Sequence, residues 1–253
     1  MRYFLTFSYN GTPFHGWQRQ PNVISVQEVM EDALSNLLRT PISLTAAGRT
    51  DTGVHARQMI AHFDANLTKE IEENLVRLLN RYLKTEIAID RLDCVQKYAH
   101  ARFDAISRTY EYHIDLIKNP FRKELAYQVN HPLNFELMNE AAQLMMRFED
   151  FESFSKTNTD VKTFLCNITQ AHWETRDKGA IFTITANRFL RNMVRAIVGT
   201  LIEVGIGKIS VEEVVRIIEC KDRSQAGFSV PASGLYLTEI RYPKSIYIQD
   251  GKS

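Results

Sequence analysis

Three observations predict an α+β fold for this chain of 253 residues. Short stretches that alternate apolar and polar residues give way to stretches whose apolar residues recur every three or four positions. The first period belongs to strands and the second to helices. The order of these stretches is β-α-β-β-α-β, the ferredoxin-like order, and it then occurs a second time. The two passes meet near residues 97–106, which follow neither period. The expectation is two tandem ferredoxin/RRM-like units, residues 1–104 and 105–253. Their sheets are expected to join into one extended, mainly antiparallel sheet, with helices on one face and a central cleft on the other.

Each element of the first pass has a local reason. Arg2–Tyr9 places Tyr3, Leu5, Phe7 and Tyr9 on one face of a strand. Asn10-Gly11-Thr12-Pro13 breaks it. The aromatic and polar loop Phe14-His15-Gly16-Trp17-Gln18-Arg19-Gln20 follows without a period. Ser25 and Glu28 have the spacing of a capping box, ahead of a helix to about Leu38 whose stripe is Val26, Val29, Ala33 and Leu37. Residues 42–47 and 58–64 read as strands, Thr68 opens a second helix, and residues 86–96 read as a strand.

In the second pass residues 107–116 alternate, with Arg108, Tyr110, Tyr112 and Ile114 on one face. Asn134 caps a helix through Leu137, Ala141, Leu144 and Phe148. Residues 167–174 and 180–186 form a hairpin around Asp177-Lys178-Gly179. Asn187 is expected to cap a helix over 188–204, and Ser210 with Glu213 opens another. Residues 235–242 close the unit. Two longer loops, 119–132 and 150–166, interrupt it, and loops of that length in compact domains are often functional.

Composition excludes several classes. Hydrophobic residues make up 44% and charged residues 24%, as in globular proteins. The net charge of +1 means that any polyanion must meet a local cluster of cations, and arginine (19) outnumbers lysine (12). Cys94, Cys166 and Cys220 match neither a zinc site nor a disulfide framework, which favours a reducing compartment. The N-terminus lacks the form of a signal peptide. The longest apolar stretch, 193–206, carries Arg195 and Glu203 and is too short to span a bilayer. The reading is a cytoplasmic protein without a membrane segment. Phosphate loops, G-x-G-x-x-G, a serine nucleophile elbow and a zinc deaminase signature are missing from the sequence. His15, His55 and His62 have no metal-ligand spacing and read as hydrogen-bonding histidines.

Four features carry candidate chemistry. Gly48-Arg49-Thr50-Asp51-Thr52-Gly53-Val54-His55-Ala56 presents one carboxylate between two glycines, where a backbone can turn sharply or approach a ligand. Its plainer reading is a charged turn between strands. Asp51-Thr52-Gly53 also has the letters of an aspartic protease, but that chemistry needs two carboxylates and the chain has one such triplet. Arg188, Arg191 and Arg195 lie at i, i+3 and i+7, one face of the expected helix. This is either a solvated basic face or a binding face. Arg195 sits amid apolar residues and so needs a partner, for which Asp51 is the candidate. Tyr110 is either a core residue or an aromatic platform for a base. His100-Ala101-Arg102-Phe103, at the join between the passes, is either a linker or part of a ligand site.

The nine-residue stretch around Asp51 resembles the catalytic motif of the tRNA pseudouridine synthases of the TruA type. The resemblance extends over Tyr9-Asn10-Gly11, Gly16-Trp17-Gln18-Arg19-Gln20, His100-Ala101-Arg102-Phe103, Arg108-Thr109-Tyr110-Glu111-Tyr112, Asn192-Met193-Val194-Arg195, Ile197-Val198-Gly199 and Gly234-Leu235-Tyr236-Leu237. Asn10 stands where the family often has Asp, and Ala99 where an aromatic is frequent. The resemblance implies isomerisation of uridine to pseudouridine at positions 38, 39 and 40 of the tRNA anticodon stem-loop, by base flipping and without a cofactor or metal. Asp51 would be the essential carboxylate, a nucleophile at C1′ or a base toward a ribose proton. Tyr110 would stack on the uracil and Arg195 would pair with Asp51. Arg49 and Arg102, with His100 beside them, would hold the nucleotide and its backbone. The implied assembly is a homodimer with one tRNA touching both subunits. A non-catalytic RNA-binding protein on the same scaffold is the alternative.

Overall fold

A computed structural model describes residues 1–157 and 161–248. It is a mixed α+β protein whose main strand pairs are antiparallel. Two compact units divide the chain: residues 1–106 with the segment from Leu237, and residues 107–236. The expected second unit of 105–253 therefore loses its last stretch to the first. The reason lies in that stretch's bonds. The Ile240 N–H donates to Gln58 Oε1 at 2.6 Å, and the Gln96 N–H donates to the Ile246 carbonyl at 2.9 Å.

In the first unit β1 (Arg2–Tyr9) is central. It pairs with β3 (His55–Asp64) on one side and β4 (Ile87–Val95) on the other. β2 (Thr45–Ala46) adds to the outer side of β3, giving the order β4-β1-β3-β2. Alternation predicts one buried face for β1, yet Tyr3, Phe4, Leu5 and Phe7 are all buried. The returning C-terminal segment covers the second face. The Phe4 ring lies 4.9 Å from that of Tyr242 and 6.2 Å from that of Tyr247.

The strand expected at 42–47 shrinks to two residues because a helix intercepts its donors. α1 (Val26–Leu38) carries Glu31, whose carboxylate accepts the Leu44 N–H at 2.9 Å, and Ser35, whose hydroxyl accepts that of Ile42 at 2.9 Å. Only half of the expected capping box forms on α1. Ser25 accepts the Glu28 N–H at 3.3 Å, while the Glu28 carboxylate turns to Arg19 at 3.3 Å. α2 (Lys69–Tyr82) starts at the expected Thr68 cap.

The second unit orders its strands β5-β8-β7, with β5 (Ser107–Asp115), β7 (Ile168–Arg176) and β8 (Gly179–Ala186). Inside the loop expected at 119–132, β6 (Tyr127–Gln128) pairs with β5 in parallel. The other expected loop, 150–166, includes 158–160, which lie outside the described residues. α3 (Phe135–Met145) packs on β7 and against α4 (Met193–Gly205) and α5 (Val211–Glu219). The Ser210/Glu213 box on α5 forms in full. β9 (Leu235–Arg241) leaves this unit for the first.

α4 starts at Met193, five residues later than expected. Asn187 does not act as a cap because it is still engaged at the hairpin. Its N–H donates to the Asn167 carbonyl and its side-chain oxygen accepts the Asn167 N–H at 2.8 Å. Asn192, at φ 68°, sets the helix start instead. Arg188 and Arg191 thus precede the helix, and their spacing describes no helical face. Among the described residues, no helix is long and apolar enough to cross a membrane.

Both units protect the outer strand of their order in the same way. Asn80 on α2 donates to the Ile89 carbonyl of β4 at 2.8 Å and accepts the Ile89 N–H at 2.7 Å. Asn139 on α3 does the same with Trp173 of β7, at 3.1 and 2.7 Å. A primary amide mimics a neighbouring strand here, occupying a donor and an acceptor that would otherwise be open at the edge. Replacing either asparagine by alanine leaves two backbone groups without these partners. Each variant is expected to lose about 1–3 kcal/mol in urea unfolding, with the Asp variants close behind for want of the amide donor.

Candidate active site

The loop that carries Asp51 is held by hydrogen bonds on its buried side. The Tyr9 hydroxyl and Thr50 Oγ1 share a hydrogen bond of 2.8 Å, and the Trp17 N–H donates to the Thr50 carbonyl at 3.1 Å. Trp17 is itself fixed by α1. The Val26 and Gln27 N–H groups, orphan donors of a helix N-terminus, bind the carbonyls of Gly16 and Trp17. At the far end the Gly11 N–H donates to His55 Nδ1 at 3.0 Å. Thr50, Val54 and His55 are buried, while Asp51 between them is half-buried. The chain turns at Asp51, whose carbonyl accepts the Val54 N–H at 3.1 Å. Gly53 has φ 78°, the left-handed conformation a type II turn needs at its third residue.

The glycines do not all contribute as expected. A side chain at Gly48 would meet nothing within 4 Å, so Gly48 is not required by space. The steric constraint comes from Gly11, where an added Cβ would lie 2.0 Å from the Val54 carbonyl oxygen. Arg49 is exposed.

His100 and Arg102 lie on an irregular segment that side-chain bonds hold to the strands. Arg2 Nη1 donates to the Ala99 carbonyl at 2.9 Å, and the Ala101 N–H donates to His62 Nδ1 at 3.1 Å. The Tyr242 hydroxyl donates to the Ala101 carbonyl. Ala99 and Ala101 are fully buried, whereas Arg102 is exposed beside the Phe103 ring, 5.6 Å from its centroid. His100 is half-buried, and its Nδ1 accepts the N–H groups of Arg102 and Phe103 at 3.1 and 3.4 Å. Burial pushes His62 down to about 4, helped by the charge of Arg2, so its imidazole is neutral at neutral pH. Nδ1 then accepts, as a backbone donor demands, and Nε2 carries the proton. Burial also lowers His100.

The other two expected residues belong to the second unit. Tyr110 is half-buried on β5, beyond the buried Tyr112 and Ile114 on the same face, and its ring meets the Phe189 ring edge-on at 5.1 Å. Arg195 is the one charged residue in the first two turns of α4, and its Nε donates to the Val230 carbonyl at 2.7 Å. Arg188 binds the Thr163 carbonyl at 3.2 Å. Among the described residues no group of three His, Cys, Asp or Glu is placed to hold a metal ion.

The sequence profile of the tRNA pseudouridine synthase family matches residues 6–104 and 141–243. The chain belongs to this family.

Relatives named tRNA pseudouridine synthase A agree along nearly the whole length. The protein of Porphyromonas gingivalis is 50% identical over 250 residues, 98% of this chain and 99% of that one. The Bacteroides fragilis protein is 48% identical over 247 residues, 97% and 98% of the two chains. The Bacillus subtilis protein is 39% identical over 246 residues, 96% and 99%. The chain is accordingly an enzyme, an isomerase of tRNA modification.

As a pseudouridine synthase the chain uses more residues than the sequence made legible. Tyr9, Gly11, Gly16 and Trp17 fall within the stretch the family profile matches, but that they seat Thr50 and Val54 only the hydrogen bonds and contacts reveal. His62 is the other omission. The sequence marked it as a hydrogen-bonding histidine, but its partner 39 residues away was not legible.

Two predictions follow from the geometry. Gly11→Ala is expected to cost about 1–3 kcal/mol by overpacking, whereas Gly48→Ala stays within about 0.5 kcal/mol of the parent, both measured by urea unfolding. The second concerns acid. The folded pKa of His62, about 4, lies below the ordinary imidazole value of 6.5, so the unfolded chain binds more protons between these values. Its contribution to stability is intact above about 6.5 and is lost as the pH falls toward 4. Unfolding free energies of the parent and His62→Asn, compared across that window, are expected to fall less steeply for the variant.

Proposed function

We propose that this enzyme isomerises uridine to pseudouridine at positions 38, 39 and 40 in the anticodon stem-loop of tRNA, with Asp51 as the essential carboxylate. The observation that carries this reading is the frame around Asp51. Its neighbours Thr50 and Val54 are buried and bonded, yet Asp51 itself is left partly exposed at a tight turn. A carboxylate held that way can meet a reacting atom without reorganising first.

The reaction breaks the bond between uracil N1 and ribose C1′, turns the base, and joins C5 to C1′. The C5 hydrogen leaves as a proton and N1 takes one up, so the product is an isomer of the substrate and no electrons are gained or lost. The target base first leaves its stack, at a cost of a few kcal/mol. Tyr110 returns about 1–3 kcal/mol by stacking on it. Arg49 and Arg102, with His100 adjacent to Arg102, hold the flipped nucleotide and its backbone, and Arg195 supplies a further cation. With a net charge of +1, such local arginines must provide the attraction, which weakens with salt. A homodimer that engages one tRNA with both subunits would enlarge that surface.

The test is release of tritium from tRNA labelled at uridine C5. Asp51→Asn is expected to lower release by at least about a hundredfold while tRNA binding in a filter assay persists. Full release by Asp51→Asn removes the carboxylate from the chemistry. Release from tRNA in which positions 38 to 40 hold no uridine overturns the assigned positions. Binding without release in the parent protein leaves an RNA-binding protein without this activity.

A further inference from the structure

β3 serves two parts of the first unit. Just before its first residue, His55, lies the Asp51 turn. Near its far end, His62 reaches out to the segment that carries Arg102. Seven residue steps of strand separate the two histidines, about 23 Å of backbone. His62 is flanked in the sheet by Phe4 on β1 and Thr45 on β2, so its own position is set by a ladder on both sides.

The Arg102 segment has no such ladder. Residues 99–104 form turns, and their place is set by a few bonds. Within the segment, the Asp104 carboxylate accepts the His100 N–H at 2.7 Å, and His100 Nδ1 caps the next two N–H groups. These bonds shape the turn without locating it. Location comes from Arg2 at Ala99, and from His62 and Tyr242 at Ala101. The bond from His62 acts on the residue immediately before Arg102. The His62 ring also packs edge-on against that of His100, with centroids 4.7 Å apart.

We propose that His62 is a positioning residue for tRNA binding: by holding the Ala101 N–H, it sets where Arg102 meets the phosphate backbone. The inference rests on the reading of Arg102 as an RNA contact. The charged groups around the imidazole are Arg2, Asp64, His100 and Asp104. The neutral ring adds no charge of its own and offers the acceptor that Ala101 uses. A plain core histidine would affect stability alone, whereas a positioning histidine affects the arginine's contact with RNA.

The two are separated by tritium-release kinetics and by the salt dependence of tRNA binding in His62→Leu, His62→Asn, Arg102→Ala and the double variant His62→Leu/Arg102→Ala. His62→Leu is expected to raise KM for tRNA about tenfold, with kcat within about twofold. The slope of log K against log salt should become shallower by about 1, the signature of one lost phosphate contact. His62→Asn, whose amide oxygen can accept, recovers most of the loss. In the Arg102→Ala background His62→Leu adds nothing further. If His62→Leu does not fold, Tyr242→Phe, which removes the second bond to Ala101, is expected to show the same rise in KM and the same shallower slope. Lowered stability with KM and salt slope unchanged, while Arg102→Ala alters both, overturns the role of His62 alone. KM and slope unchanged in Arg102→Ala overturns the RNA contact, and the proposal falls with it.

Discussion

The bond between the Tyr9 hydroxyl and Thr50, together with the Trp17 N–H on the Thr50 carbonyl, is the constraint on which the candidate site depends. It joins three pieces of chain, which the pairing of Tyr9 with Ala56 and the packing of Trp17 on Phe7 also bring together. Tyr9 ends the central strand, Trp17 sits in a loop without a period, and Thr50 precedes the acid. Each would lose a buried polar partner if the others moved, and an unpaired buried polar group costs more than a formed bond contributes. The loop is therefore placed by the cost of misplacing it.

The same economy recurs across both units. Side chains repeatedly stand in for missing strands: Asn80 for the neighbour of β4, Asn139 for that of β7, and Glu31 and Ser35 for the partner of residues 42–44. Irregular backbone near the site is satisfied in this way by side chains. That allows loops to carry function while their buried sides stay fixed. Asp51 and Arg102 both lie on backbone held in this way, each more exposed than the hydrogen-bonded residue before it.

Family membership gives these features a common purpose. A pseudouridine synthase of tRNA acts on a polyanion and therefore needs cations to meet it. A chain with a net charge of +1 meets that need by position rather than by quantity. That puts weight on what holds each arginine. Val230 holds Arg195 through its carbonyl, and the His62–Ala101 bond sits one residue before Arg102.

Much of this was determined by the sequence itself. Periodicity located the helices and main strands, because a buried stripe is written in local order. The caps at Ser25, Thr68, Asn134 and Ser210 all accept the bonds expected of them, because a cap reaches only three residues ahead. The Asp51 motif was legible for the same reason, being contiguous. Tertiary structure alone decided the rest. Asn187 has the letters of a cap, but its bonds to Asn167 across the hairpin moved the start of α4 to Met193 and took Arg188 and Arg191 off the helix. A side chain at Gly48 would meet nothing within 4 Å, whereas an added Cβ at Gly11 would lie 2.0 Å from a carbonyl oxygen 43 residues later. His62 read as a hydrogen-bonding histidine, and only the fold supplies its partner, the Ala101 N–H. Each of these turns on a hydrogen bond or contact between residues far apart in the chain, and a pattern confined to neighbours carries no record of such a partner.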